Sequence, residues 1–449
     1  MRRLRSSSRA RKHAGTNKDS RADKGIVHFL KILGPGVITG AADDDPSGIA
    51  TYSQTGAQFG FGQLWTALYQ IPLLLAVQEA CGRIGAVTGK GLAGVIKLHY
   101  SRLVLVLLVL LVVLANTINI GADIAAVGEA MNLVVPVPRA ILIVSTTLIV
   151  LSLEIFIPYG TYAKFLKWLA LALLAYPATT LIVKQHWGDI LYATVVPHVE
   201  FTLSFLFIIT GVFGTSISPY MFFWQASEEV EEERVQEITA KRNGEPRLPA
   251  AFISDMRLDT AAGMVAAEVA QWFIIITTAS VLYSHGVNNI QTAADAAKAL
   301  EPLVQSFPNS GEVARTIFAA GIVGLGLLGI PVLAGGAAYA LSEALGWKEG
   351  LSRKWNEAPG FYGIITLATL AGLSLNFVGI DPMKALVFTA VFNGIAAVPL
   401  LFVIARINGN AKILGKYKGG TLSQATLWVT FGVMALSGAA LIYTTIRGR

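Results

Sequence analysis

The sequence has little cysteine and few charged residues. Cys81 is the one cysteine among 449 residues, which excludes an internal disulfide and any cysteine cage for zinc or iron. Charged residues make up 14% of the chain and hydrophobic residues 54%, with a mean hydropathy of +0.58. This balance is typical of an integral membrane protein with many apolar helices.

The apolar runs predict an all-α membrane protein with about eleven spans, since a spanning helix needs about 20 apolar residues. To within a few residues, the predicted spans cover about 28–58, 62–84, 101–127, 137–158, 164–184, 202–226, 256–284, 312–345, 360–379, 382–406 and 424–446.

Lysine and arginine are concentrated in the tail Met1–Gly25 and in alternate loops. The tail has no long apolar core, so it is neither a cleavable signal nor a span, and we expect it to be disordered. With the tail in the cytoplasm, the positive-inside rule places the C-terminus outside. This bias and anionic lipid account for the net charge of +7, so no nucleic-acid partner is expected.

The most informative stretch is Lys31–Gly62, in which an apolar segment stops at Asp43–Asp45 and Pro46 and resumes at Ile49–Phe59. Neither half can cross a bilayer alone, so the two are predicted to form one broken helix. A break at membrane depth is tolerated where it lines a cavity or holds an ion, and Asp45 is placed to bind a cation. The alternative is that Asp43, Asp44 and Asp45 form the aqueous end of a short helix.

The sixth span contains a second predicted break. The apolar segment Phe205–Gly214 is followed by TSISPYMFFWQ, with Pro219 in mid-span after Thr215, Ser216 and Ser218. Proline removes a hydrogen-bond donor and disfavours helix just upstream. Interrupted spans at matching places in two halves indicate the site of an inverted-repeat transporter. A simple proline kink is the alternative.

Polar side chains within other spans are candidates for the pathway, because an acid that faces lipid is costly. In the second span, Glu79 either faces a water-filled vestibule or forms an i,i+4 ion pair with Arg83. In the third span, Asp123 shares a helical face with Asn119 and Asn116. Asp123 is a candidate for gating or proton relay, and a polar contact between helices is the alternative.

Three further polar features lie in the second half of the chain. Glu268 in the seventh span is a functional candidate, unless a neighbouring helix satisfies it by a hydrogen bond. Asn393 in the tenth span either faces the site or only packs. The acidic run Glu228–Glu233 is predicted to be a solvated extension of the sixth helix, with a cation-concentrating cytoplasmic mouth as the alternative.

These motifs together resemble those of the NRAMP family of divalent-metal transporters. Asp45–Gly48 stands where the family has a DPGN motif, and Gln54–Ala57 stands where it has QAGA. The similarity continues through QEACGRIGAVTGKGL, through Gly121–Val127, and to Ser218–Tyr220 in the place of Met-Pro-His. The resemblance covers essentially the whole chain after the tail. It implies a LeuT-type fold, a 5+5 inverted repeat with discontinuous helices 1 and 6.

The departures from the family pattern concern the ion site. The resemblance carries the metal-binding aspartate to Asp45, but Gly48 stands in the place of the asparagine and Ser218 in that of the methionine. Loss of the soft sulfur leaves an oxygen-only site that suits Mg²⁺ with retained water, as in the NRAMP-related magnesium transporters. Of the proton-associated residues Asp123 remains, whereas Ala126 and Tyr220 replace a glutamate and a histidine, which predicts weak or absent proton coupling.

We therefore expect an importer of divalent cations, Mg²⁺ with or without Mn²⁺, that works by alternating access and needs no cofactor. Asp45, Gly48, Thr215 and Ser218 are the predicted ion site, and the protein is expected to be a monomer in a bacterial inner membrane. The predicted repeats cover residues 26–195 and 196–406 of a transporter domain at 26–449, with an extra helix at 407–449. The alternatives are a proton-coupled Mn²⁺ or Fe²⁺ importer and, in another class, an intramembrane Mg²⁺-dependent prenyl-diphosphate enzyme. An inert membrane protein would explain neither break.

Overall fold

The computed structural model describes residues 34–157, 170–235, 241–242, 245–246 and 248–447, and their main elements are α-helices. The only strands among these residues are Lys241–Arg242 and Glu245–Pro246, which pair antiparallel with Lys241 opposite Pro246. In chain order the α-helices are α1 Pro35–Asp43, α2 Pro46–Phe59, α3 Trp65–Thr88, α4 Leu92–His99, α5 Arg102–Asn132, α6 Arg139–Phe156, α7 Ala175–Ile182, α8 Trp187–Val195, α9 Leu203–Ser216, α10 Pro219–Val235, α11 Ala250–Val281, α12 Ala293–Ala297, α13 Ser310–Leu345, α14 Pro359–Leu375, α15 Pro382–Asn408, α16 Ala411–Leu414 and α17 Thr421–Arg447.

Eight segments of the described chain are long and apolar enough to cross a membrane, and α14 is a shorter apolar helix. These nine correspond to the predicted spans other than the first and the fifth. The first is the α1–α2 pair. Part of the predicted fifth span, at 164–184, lies outside the described residues, and its last part contains α7. The all-helical membrane architecture is confirmed.

Both predicted breaks are present. Helix α1 ends at Asp43, Asp45 has an extended backbone (φ −60°, ψ 173°), and α2 begins at Pro46. Helix α9 ends at Ser216, Ile217 leaves the helical region (φ −102°, ψ 63°), and α10 begins at Pro219. Each second half starts with proline, which is favourable at the first helical position and restricts the residue before it.

Helices α1 and α11 pack so closely that their backbones are in contact. A Cβ built at Gly40 would lie 2.3 Å from the carbonyl oxygen of Gly263, so only glycine fits there. The Asp259 carboxylate of α11 accepts hydrogen bonds from the backbone N–H groups of Gly34 (2.9 Å), Gly36 (2.7 Å) and Val37 (3.3 Å). Asp259 thus caps the N-terminus of α1 from another helix and satisfies donors that have no partner within α1.

The connection between α11 and α13 folds over the C-terminal part of α2. Its short helix α12 begins with a capping box in which Thr292 and Asp295 bond reciprocally. Gln54 of α2 accepts a hydrogen bond from the N–H of Ile290 (2.9 Å), and Glu129 of α5 accepts one from Ala293 (2.9 Å). This connection is therefore partly helical, and hydrogen bonds attach it to α2 and α5.

The acidic run in α10 is buried, so the prediction of a solvated helix end is wrong. Glu229 is 2% exposed, and Glu228, Glu231 and Glu233 are also buried. The reason is tertiary packing: Tyr339 of α13 donates to Glu228 (3.3 Å), and the N–H of Ser352 donates to Glu231 (3.3 Å). A charge pattern alone cannot reveal such partners.

Candidate metal centre

Asp45 lies at the centre of the first break and is fully buried. As the N-cap of α2, its Oδ1 accepts from the N–H of Gly48 (2.9 Å) and the hydroxyl of Ser47 (2.6 Å). Its Oδ2 accepts from Nδ2 of Asn119 on α5 (3.0 Å). These neutral donors hold the carboxylate in place, and no ion pair with Asp45 is found among the described residues, which suits a cation ligand.

Gly48 faces the second broken helix across the first turn of α2. A Cβ built there would lie 3.0 Å from the carbonyl oxygen of Asp43 and 3.3 Å from Oγ1 of Thr215. Glycine therefore permits a backbone carbonyl and a threonine hydroxyl to converge beside Asp45. A side chain at position 48 would be in tight contact with both of these oxygens.

The second break presents hydroxyl and carbonyl oxygens. The Ser218 hydroxyl is directed to the carbonyl oxygens of Gly214 and Thr215 (2.7 Å to the latter). A hydroxyl with one proton directed to carbonyls keeps its own lone pairs as acceptors. Ser216 is 3.0 Å from the hydroxyl of Tyr52 and donates to Gln271 (3.2 Å), which fixes the end of α9 to α2 and α11.

The other two aspartates of the first break are buried as well. One carboxylate oxygen of Asp43 and one of Asp44 have no hydrogen-bond partner among the described residues. The adjacent Ala42 carbonyl accepts from the hydroxyl of Tyr220 (3.0 Å), so the predicted pathway residue Tyr220 joins α10 to the end of α1. The alternative of an aqueous helix end for the three aspartates is wrong, because all three are at most 3% exposed.

Asp123, Glu268 and Asn393 are also buried. None of their side-chain oxygen or nitrogen atoms makes a well-aligned hydrogen bond within the described residues, although the backbone N–H of Ser47 lies near Asp123 and the hydroxyl of Ser216 lies near Glu268. The Asp123 carboxyl interacts electrostatically with Asp45, and Glu268 interacts with both Asp43 and Asp44. Asp123 and Glu268 are therefore brought close to the aspartates of the first break.

Glu79 forms the predicted ion pair instead of lining the site. Its carboxylate accepts from both Nε (2.9 Å) and Nη2 (2.8 Å) of Arg83, and from Nε of Arg257 (2.8 Å). Arg83 also donates to the Tyr417 carbonyl and to Asn408, so this network ties α3 to α11 and to the end of α15. Of the two interpretations of Glu79, the structure favours an ion pair with Arg83 over a place in a water-filled vestibule.

Within the described residues, no three histidine, cysteine, aspartate or glutamate side chains are close enough to hold a metal ion together. A cation at this centre would therefore be held by at most two such side chains, and neutral oxygens would complete its ligand set. The Asp43 carbonyl and the Thr215 hydroxyl lie next to Gly48, and the Ser218 hydroxyl lies at the second break. Oxygen donors of this kind are the usual ligands of Mg²⁺ and Ca²⁺.

Sequence patterns do not predict two contacts of the first broken helix. Asn119 shares a helical face with Asp123, yet its amide contacts Asp45, and Asp259 caps the far end of α1. The periodicity of α5 contained a signal for Asn119, since it shares a face with a buried acid. No signal of that kind marks Asp259, which lies outside any recognised motif.

Two half-helix pairs that meet at a buried carboxylate within a bundle of apolar helices define a multi-pass membrane transporter of the LeuT type. The family model described as natural resistance-associated macrophage protein-like (Nramp) matches residues 36–444. The chain belongs to this family.

Relatives and solved structures agree with the family match. The divalent metal cation transporter MntH of Ralstonia nicotianae is 24% identical over 445 residues, which cover 94% of this chain and 92% of the relative. MntH of Klebsiella pneumoniae strain 342 is 25% identical, covering 96% and 98%. A manganese transporter of Eremococcus coleocola has a TM-score of 0.71 at 16% identity, covering 94% and 87%. Mhp1, a nucleobase-cation-symport-1 family transporter, has a TM-score of 0.52 at 14% identity, covering 92% and 91%. The family match favours transport over the prenyl-diphosphate enzyme.

Proposed function

We propose that this protein carries divalent cations into the cytoplasm by alternating access, with Mg²⁺ as the preferred ion and with weak or no proton coupling. The observation that carries the proposal is the position of Asp45, a buried carboxylate held only by neutral donors between two broken helices. Asp45 supplies the charge, and Thr215 and Ser218 supply oxygen from the opposite repeat.

The proposed preference for Mg²⁺ rests on ligand type. Thioether sulfur favours transition metals, whereas hydroxyl and carbonyl oxygens favour hard cations. Ser218 occupies the place of a methionine, and its hydroxyl is buried at the second break. In the open states of the cycle, Gly48 would leave space for water that Mg²⁺ gives up reluctantly.

The proposed lack of proton coupling rests on two positions. Ala126 has no proton to exchange, and the Tyr220 hydroxyl is engaged with the Ala42 carbonyl. A phenol also keeps its proton throughout the physiological range. The membrane potential can drive entry instead, at about 2.3 kcal/mol per charge per 100 mV, and twice that for a divalent ion.

The alternative function is proton-coupled import of Mn²⁺ or Fe²⁺. Asp123 and Glu268 favour it, because both are buried carboxyls near the first break that make no well-aligned hydrogen bond with the described residues. Such groups are candidates to bind and release a proton as the site changes access. The names of the relatives also support this alternative: MntH is named as a divalent metal cation transporter, and the Eremococcus protein is named as a manganese transporter.

Orientation and assembly form part of the proposal. We place the N-terminal tail in the cytoplasm and the C-terminus outside, on the distribution of lysine and arginine. The repeats at 26–195 and 196–406 each contribute one broken helix, so one chain completes the site and the transporter works as a monomer.

The test is uptake by proteoliposomes under an imposed potential, with Mg²⁺ and Mn²⁺ compared while a pH dye reports protons. We expect Mg²⁺ entry without acidification of the lumen. Entry of Mn²⁺ with acidification, unaffected by excess Mg²⁺, would establish the alternative and reject the proposal.

A further inference from the structure

The amide of Asn119 reaches the carboxylate oxygen of Asp45 that the first broken helix leaves free. Oδ1 of Asp45 is already engaged by Ser47 and Gly48, both from α2. Oδ2 receives Nδ2 of Asn119 from α5, at 3.0 Å. A third helix therefore contributes directly to the geometry of the proposed ion ligand.

The other end of the same amide is unsatisfied. Oδ1 of Asn119 is buried and has no hydrogen-bond partner among the described residues, and the side chain is fully buried. A buried amide oxygen without a partner is costly and calls for an explanation, such as an ion bound there in another state. Because both atoms of the amide share one carbon, this free oxygen lies beside the Asp45 carboxylate.

Gly48 explains why an amide from elsewhere is useful. Gly48 stands where the family motif DPGN has asparagine, so this position has no side chain here. A Cβ at Gly48 would lie 3.0 Å from the Asp43 carbonyl oxygen. Helix α2 therefore cannot supply an amide oxygen from this turn. Asn119 offers the same functional group from α5, and amide oxygens are ordinary ligands of hard cations.

We propose that Asn119 is a ligand of the transported cation, which it contacts through Oδ1 in place of the amide that Gly48 lacks. This inference rests on the proposed function, in which Asp45 binds a divalent cation. When the cation arrives, Oδ1 gains a partner while Nδ2 continues to hold Asp45 Oδ2, so one amide both orients the carboxylate and completes the ligand set.

Asn116 provides a matched control on the same helix. It is fully buried, its Oδ1 is likewise unpaired, and its Nδ2 donates to the Leu333 carbonyl (2.8 Å) instead of to Asp45. Asn119→Ala and Asn116→Ala therefore remove the same group from similar environments. They differ in the contact with Asp45.

The experiment is isothermal titration of the purified full-length protein with Mg²⁺ and with Mn²⁺, in the wild type and the variants. We expect Asn119→Ala to weaken binding of the preferred ion by about tenfold or more, and Asn116→Ala to change it less than about threefold. Equal weakening in both variants, or none in Asn119→Ala, would overturn the inference.

Asn119→Asp separates a ligand from a residue that only positions Asp45. Aspartate keeps an oxygen for the cation but cannot donate to Asp45, so a ligand role predicts that it binds the ion more tightly than Asn119→Ala does. Weaker binding by Asn119→Asp than by Asn119→Ala would reject the ligand role. If the wild type binds Mn²⁺ alone, the proposed ion is wrong, while the comparison of variants with Mn²⁺ still decides the role of Asn119. If it binds neither ion, both proposals fail.

Discussion

The two broken helices differ in the charge that they carry. The first break contains three consecutive aspartates, and each of them is buried. The second break contains hydroxyls and backbone carbonyls, and its side chains between Thr215 and Ser218 carry no charge. Each break is nevertheless built in the same way, as a short non-helical step followed by a helix that begins with proline.

In the proposed function, this difference means that the first break supplies the charge for binding a cation and the second break supplies neutral oxygens. Charge gives affinity but is expensive to bury, so a single repeat supplies it. Neutral oxygens cost less to bury and set which ion fits. Removing a group from the first break should therefore abolish binding, whereas changing the second should alter selectivity.

The largest effect is expected from Asp45→Asn, which removes the charge but keeps the shape of the side chain. Cation uptake should fall by roughly 100-fold or more, because the buried site loses its one oriented carboxylate. Uptake by proteoliposomes is the measurement. Asp381→Asn is the matched control: Asp381 also precedes a proline and caps a helix, α15, but in an exposed position. Normal uptake by Asp45→Asn would refute the hypothesis that the first break supplies the charge that binds the cation.

A smaller change, in selectivity, is expected from Ser218→Met. A sulfur at the second break should raise the preference for Mn²⁺ over Mg²⁺ by about tenfold, as measured by competition between the two ions in uptake. Ser218→Ala separates loss of the hydroxyl from gain of the sulfur, and it should lower uptake of both ions without changing their ratio. An unchanged ratio in Ser218→Met would mean that the second break does not set selectivity.

Tyr220→Phe should have a modest effect, since it removes one hydrogen bond between the breaks. We expect the free energy of unfolding to fall by about 1 kcal/mol and the KM for uptake to change less than about threefold. The control is Tyr362→Phe, which removes a similar bond to the Arg353 carbonyl (2.7 Å) away from the breaks. A larger change in KM than in this control would show that Tyr220 acts in transport beyond its hydrogen bond.

The smallest effect on ion binding is expected from Glu79→Gln, which lies outside both breaks. Stability should nevertheless fall by about 3–5 kcal/mol, because Arg83 is 2% exposed and would lose its carboxylate. Arg257→Gln removes the exposed partner, at 57%, and should cost at most about 1 kcal/mol. Thermal unfolding measures the stability of both variants. A changed ratio of Mg²⁺ to Mn²⁺ uptake in Glu79→Gln would instead show that Glu79 takes part in the ion pathway.

The breaks could be predicted from the sequence because their causes are local. Pro46 and Pro219 restrict the residues before them, and adjacent polar residues make a continuous span improbable. The small residues of α13 indicate that other helices pack closely against it. The structure has such a contact at Gly329, where a Cβ would lie 3.0 Å from the Asp45 Cβ. Short amphipathic helices such as α4 and α8 were missed because they fall in loops between the apolar runs.

The contacts of the site could not be predicted, because they join residues distant in sequence. Asn119 is 74 positions from Asp45, and helical periodicity indicates the face on which a side chain lies but not the atom that it reaches. The same limit explains the error over Glu228–Glu233, whose burial depends on partners in α13 and the loop after it.

The contact between α1 and α11 restricts independent movement of α1, the N-terminal half of the first broken helix. Swinging α1 alone would break the three bonds from its N-terminus to Asp259, each of them a charge-assisted hydrogen bond. At Gly40 and Gly263 the two backbones are in direct contact, so no side chains lie between the helices to let them slide past each other. In the proposed cycle, inward opening must therefore either carry α11 with α1 or first release Asp259. The Asp259 carboxylate at the N-terminal end of α1 thus decides whether α1 and α11 move together or separately.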